Sequence, residues 1–170
     1  MFGFGAQTQP GFQSFLGLPL AYEVSVGAVI FRRTVDGNIE YLLLRYPHGH
    51  WDYVKGHIES GETHEETLRR ETQEESGIVS IDIQKNFRKC THYFYTAKGT
   101  ELVKRKQAGD GIWIFKTVHF YLAEALDTDI SISDEHIGFS WVAFEEAINK
   151  LTFSAAKDIL TSADVFLRKV

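Results

Sequence analysis

The chain has 170 residues, 44% hydrophobic and 24% charged, with a formal net charge of -5 at pH 7. That length suits one domain with a sizeable core, and the acidic balance excludes a general attraction to nucleic acid. The lone cysteine, Cys90, excludes an internal disulfide, and no apolar run reaches membrane length.

Residues 1–20, with their Gly, Gln and Pro, read as an N-terminal leader or extension, and residues 21–170 as the folded domain. The start Met-Phe-Gly-Phe-Gly-Ala lacks the basic region of a signal peptide, so the cytoplasm is the expected location. Val24–Arg32 and Glu40–Tyr46 are apolar runs separated by a turn at Asp36-Gly37-Asn38, which predicts a hairpin.

The next element is a helix. Thr63 followed by Glu66 forms a capping box, and Gly77 suits the left-handed position that ends a helix, which predicts a helix over 64–76. Glu71, Glu74 and Glu75 leave it on one face, with Glu62 in the loop before it, while Leu68 and Thr72 lie on another side and Leu68 is expected in the core. Arg70 is the cation placed to pair with Glu62 or to fix a neighbouring glutamate. A Glu-rich helix is often only a solvated face. Here Glu74 and Glu75 occupy the last turn, where the helix dipole disfavours negative charge, and like charges three and four apart repel. A bound cation removes both objections, and hard oxygen ligands suit magnesium or manganese.

Val79–Ile83 reads as a short edge strand. Phe87–Ala97 and Ile112–Ala123 read as aromatic-rich strands joined by a charged loop with Lys104-Arg105-Lys106 and a Gly109-Asp110-Gly111 turn. A strand near Gly138–Val142 precedes helices at Phe144–Leu151 and Ser154–Leu167. Mixed strands with helices before and after predict a three-layer α/β/α sandwich with a mixed central sheet.

Gly56, Glu62, Arg70-Glu71-Thr72-x-Glu74-Glu75-x-Gly77-Ile78 resembles the signature of Nudix hydrolases. Thr72 departs from it, standing where the family usually has an aliphatic residue. The resemblance implies the same α/β/α sandwich, with residues 21–170 as the Nudix hydrolase domain. Outside this box, His50-Trp51-Asp52-Tyr53-Val54-Lys55-Gly56-His57, Lys116-Thr117-Val118 and Ser133-Asp134-Glu135-His136 with Trp141 resemble asymmetrical diadenosine tetraphosphate hydrolases of the animal and archaeal type. Tyr53-Val54 stands where that branch commonly has Pro-Pro, which predicts a less rigid loop, and the hairpin between Tyr95 and Trp113 is longer and more basic.

The resemblance implies that Glu71, Glu74 and Glu75 hold Mg2+ or Mn2+, with the Gly56 carbonyl as a further ligand and Glu135 either in the metal shell or helping as base. Taken alone, Glu135 reads equally well as a solvated loop carboxylate. His50, Lys55 and Lys116 would contact polyphosphate, Tyr93 would stack on adenine, and Phe153 would supply a second stacking face. Taken alone, such lysines are solvated and a strand aromatic is core. The implied reaction is in-line attack by water on phosphorus, with Glu75 or Glu135 taking the proton, giving ATP and AMP from diadenosine tetraphosphate. The alternatives are a nucleoside triphosphate or RNA 5′-end pyrophosphohydrolase, and a nucleotide-binding regulator without catalysis. Such regulators typically lose box glutamates, and all of these are present here. The expected partner is a small nucleotide polyphosphate, with no membrane and no nucleic acid other than RNA 5′ ends.

Overall fold

Strand β1 (Leu20–Arg33) sets the architecture, because every residue from Ser25 to Phe31 is buried. A strand covered on both faces reads as a continuous apolar run, as this one does. The computed structural model describes residues 20–169, so all but the last residue of the expected leader lies outside the described residues. After β1 come β2 (Ile39–Arg45), β3 (Trp51–Asp52), β4 (Val54–His57), α1 (His64–Ser76) and β5 (Ile81–Thr96). Then follow α2 (Gly99–Ala108), β6 (Trp113–Ala125), β7 (Gly138–Val142), α3 (Phe144–Lys150) and α4 (Ser154–Leu167). Among the described residues, 25–91 with 118–169 form one compact unit, and 20–24 with 92–117 form a smaller one.

The larger unit holds the sandwich. Its sheet runs β3-β2-β1-β6-β5, with β4 paired to β1 and β7 paired to β2. The predicted hairpin is present, with Phe31 opposite Tyr41 and Arg33 opposite Ile39. Alternation along β1 divides the core into two layers. Val29 and Phe31 pack with Leu151, Ile159, Leu160 and Ala163 of the C-terminal helical segment, whereas Val26, Ala28 and Ile30 pack with Leu68 of α1. Burying a leucine such as Leu68 contributes about 1.5–3 kcal/mol. Buried tyrosines tie the sheet to α4: Tyr41 donates to Asp164 at 2.9 Å and Tyr53 to the Ala156 carbonyl at 2.7 Å. No helix among the described residues is long and apolar enough to cross a membrane.

Helix α1 spans the predicted 64–76, with both halves of the capping box formed and the Gly77 N–H closing on the Gln73 carbonyl at φ +78°. Three expectations are corrected. Val79–Ile83 and Phe87–Ala97 are one strand, β5, in which Asn86 takes the left-handed conformation at φ +70°. The segment around Tyr53 is no loose loop, since Tyr53 is fully buried and Val54 pairs with Ala28. The charged loop after Thr96 contains a helix, α2, without a buried residue.

Candidate active site

The loop before α1 is built by Glu62. Its carboxylate accepts from the Glu59 N–H at 3.0 Å and from Thr67 Oγ1 at 2.7 Å, and it receives Arg70 Nε at 2.7 Å and Nη2 at 2.9 Å. These bonds, the arginine's first, hold the Glu62 carboxyl down to about 2. Arg70 continues outward. Nη1 donates to Glu71 Oε1 at 2.7 Å and to Glu74 Oε2 at 3.0 Å, while Nη2 also reaches the His57 carbonyl at 2.9 Å. One guanidinium thus ties the loop, β4 and two box glutamates together, and its own pKa is raised by these partners, Glu62 above all.

The box glutamates lie at graded depths, with side-chain exposures of 12% for Glu71, 58% for Glu74 and 7% for Glu75. Burial raises the Glu71 pKa, with Arg70 opposing the shift and Glu75 and Glu74 adding to it. Glu75 Oε2 accepts from the Lys55 N–H at 3.1 Å. Gly56 is placed so that an added Cβ would meet the Glu71 carboxyl at 1.8 Å, so a glycine here lets that carboxylate keep its position. Among the described residues no three His, Cys, Asp or Glu side chains converge as a ready-made metal shell, and Arg70 stands among the carboxylates instead. The donor set nevertheless fits a hard cation in kind: carboxylate oxygens on one helix face, facing a backbone cradle free of side chain.

A second group of side chains gathers beside Glu75. His50 stacks on Tyr46 at 4.4 Å and meets Phe153 at 5.5 Å. Reciprocal bonds explain the meeting, since the Trp51 N–H donates to Thr152 Oγ1 at 2.9 Å and the Thr152 N–H to the Trp51 carbonyl at 3.3 Å. Phe153 remains 48% exposed. Lys55 Nζ donates to Tyr46 Oη at 2.6 Å and pairs with Asp52 at 3.2 Å. Burial, then the Lys55 charge, lowers the His50 pKa, which favours the uncharged imidazole. Glu135 is exposed in the turn ahead of buried His136. Of the residues singled out in the sequence, this unit brings together Gly56, Arg70, Glu71, Glu74 and Glu75, and places His50, Lys55 and Phe153 in one adjoining cluster. Sequence reasoning missed Tyr46, Asp52 and His136 as members. All three stood inside the quoted segments or at a strand end, but nothing in their spacing marked them.

The smaller unit carries Lys116 and Tyr93. Lys116 Nζ lies 3.6 Å from Glu23, which is also the partner of Arg105 from α2. Arg105 is held further by Glu101 at 2.9 Å and by the Gly111 carbonyl at 3.2 Å. Tyr93 is 43% exposed, with the Tyr95 ring 6.1 Å away. Trp113 and Phe115 join Phe94 in an aromatic group, at 6.0 and 6.3 Å.

Comparison with known proteins agrees with this architecture. The chain is 36% identical over 152 residues to the asymmetrical bis(5′-nucleosyl)-tetraphosphatase of Sus scrofa, covering 83% of this chain and 92% of that protein. It is 31% identical over 146 residues to the protein of the same description from Caenorhabditis elegans, covering 84% and 95%. The crystal structure of a C. elegans Ap4A hydrolase binary complex superposes with a TM-score of 0.70 at 29% identity, covering 87% of this chain and 99% of that one. The NUDIX domain model matches residues 21–163, and the chain belongs to the Nudix hydrolase family.

Proposed function

We propose that the protein hydrolyses bis(5′-nucleosyl)-tetraphosphates, diadenosine tetraphosphate first, adding water across a phosphoanhydride to give ATP and AMP. The observation that carries this reading is the Glu71–Glu74–Glu75 face of α1 opposite Gly56, braced by Arg70, in a chain whose tetraphosphatase relatives match it over most of their length. Glu71, Glu74, Glu75 and the Gly56 carbonyl would hold a divalent cation, Mg2+ or Mn2+. When bound, such an ion neutralises phosphate charge that otherwise repels a nucleophile.

The remaining roles belong to the chain's own residues. Arg70 fixes the rotamers of Glu71 and Glu74, so the carboxylates need no reorganisation when charge develops. Glu75 or Glu135 takes the proton of the attacking water. Lys55, bonded to Tyr46 on which His50 stacks, supplies a cation to the phosphate chain, and His50 donates a hydrogen bond to it. Phe153 offers a half-exposed ring for a base. In the smaller unit, Lys116 and the exposed Tyr93 are the cation and ring of the kinds that phosphate and purine recognition use. We place the activity in the cytoplasm, in keeping with a single cysteine.

The test is a product analysis with diadenosine tetraphosphate and magnesium, run beside nucleoside triphosphates and 5′-triphosphate RNA. Equal amounts of ATP and AMP, formed faster than any other product, are expected. Turnover of another substrate alone would keep the family chemistry and discard this substrate. No turnover at all would favour a binding protein.

A further inference from the structure

His136 is a buried side chain with no part in the chemistry proposed for the box glutamates. Its imidazole has 0% exposure, and neither ring nitrogen makes a hydrogen bond. Buried polar groups in folded proteins almost always have partners, so this one requires an explanation. Its Nε2 stands 3.3 Å from Glu75 Oε2, within reach of a hydrogen bond after a small turn of the ring.

The backbone shows that this placement is built. The Ser131 N–H donates to the Ser76 carbonyl at 2.9 Å and the Ser133 N–H to the Glu75 carbonyl at 3.3 Å, sewing the segment onto the end of α1. The His136 N–H then closes a turn on Ser133 at 3.1 Å, and the Ile137 N–H reaches the Arg45 carbonyl at 2.8 Å. The same bonds satisfy carbonyls that a helix terminus would otherwise leave open. Tyr46 packs against the ring, meeting it edge-on at 4.5 Å. Glu75 Oε2 therefore has both the Lys55 N–H, at 3.1 Å, and His136 Nε2, at 3.3 Å, beside it, whereas no described residue donates to Oε1.

We propose that His136 is a positioning residue for Glu75. Its Nε2–H and the Lys55 N–H together hold Oε2, which selects one carboxylate rotamer and leaves Oε1 as the oxygen that would serve a cation. The inference rests on the reading of Glu75 as a cation ligand. A partner of this kind, one step removed from a metal, characteristically changes affinity or activity about 10- to 100-fold when lost.

Three variants test it, His136→Gln, His136→Asn and His136→Phe. Glutamine can place an amide N–H near the Nε2 position, asparagine only near Nδ1, and phenylalanine keeps the ring without a donor. Mn2+ binding to the full chain is measured by calorimetry without nucleotide, beside kcat and KM for diadenosine tetraphosphate and the melting temperature. His136→Asn and His136→Phe are expected to weaken Mn2+ binding about tenfold and to lower kcat by a similar factor, with KM little changed. His136→Gln should recover most of both. If His136→Phe fails to fold, the Gln and Asn pair still decides the matter. Equal Mn2+ affinity across wild type, Gln and Asn would overturn the proposal, as would a loss that follows melting temperature alone. A wild type that binds Mn2+ in a His136-dependent way but cleaves no dinucleotide would overturn the proposed substrate and leave the positioning role standing.

Discussion

Arg70 and Glu62 meet as a two-pronged fork, Nε on Oε1 at 2.7 Å and Nη2 on Oε2 at 2.9 Å, and this pair orders the ligand face of α1. The geometry needs a planar guanidinium, because the remaining nitrogen must reach Glu71 and Glu74 at the same time. A lysine is a point charge and cannot serve all three carboxylates. Arg70→Lys is therefore expected to lower kcat about 10- to 100-fold while far-UV circular dichroism stays unchanged. Activity within about twofold of wild type would show that the brace is dispensable.

The same fork predicts an acid limb in stability. Glu62 titrates near 2 in the folded protein against an ordinary 4.5, so the folded state binds this proton less readily than the unfolded chain. Its contribution is complete above the unfolded value and is lost as pH falls from about 4.5 towards 2. In urea unfolding with EDTA present, wild type should exceed Glu62→Gln at pH 6, and the gap should close over that interval. A gap independent of pH would remove the ion pair as its source.

Gly56→Ala separates fold from site. The added methyl would strike the Glu71 carboxyl, which is the movable end of a side chain and not backbone. The chain should fold with a small change in melting temperature, while the displaced carboxylate lowers turnover by about 10²-fold or more, as for loss of a preorganised catalytic group. A large loss of stability with the remaining activity intact would reverse this assignment.

The candidate ligand face was legible because its signals are local. Thr63, Glu66 and Gly77 cap α1 within its own segment, and the phase of Glu71, Glu74 and Glu75 follows from helix periodicity alone. Helix α2 had no such signal. It buries no residue, so it has no apolar stripe, and Arg105 attaches it to Glu23, which lies 82 positions earlier. Strand β4 has only four residues, too few for alternation to show. His136 was hidden for a related reason: its meaning lies in Glu75 and Tyr46, which only the fold brings to it.

Glu75→Gln keeps the size of the side chain and an oxygen for the Lys55 N–H, and removes the charge. If Glu75 holds a cation or takes a proton, turnover should fall about 10³-fold with the fold intact. Near-normal kcat in this variant would withdraw the carboxylate from the chemistry and leave Glu71 and Glu74 as candidate ligands and Glu135 as the candidate base.

Tyr93 distinguishes binding from packing in the smaller unit. An aromatic that serves as core is covered, and truncating it costs stability; Tyr93 is 43% exposed. Tyr93→Ala should therefore leave the melting temperature within a few degrees. If the ring stacks on a base, KM for adenine nucleotides should rise about 5- to 100-fold with kcat little altered, in line with about 1–3 kcal/mol per stacked base. The comparison with Tyr93→Phe completes the argument, because phenylalanine keeps the stacking face and loses only the hydroxyl. A Phe variant as impaired as the Ala variant would assign the role to the hydroxyl, and a melting-temperature drop with unchanged KM would return Tyr93 to the core.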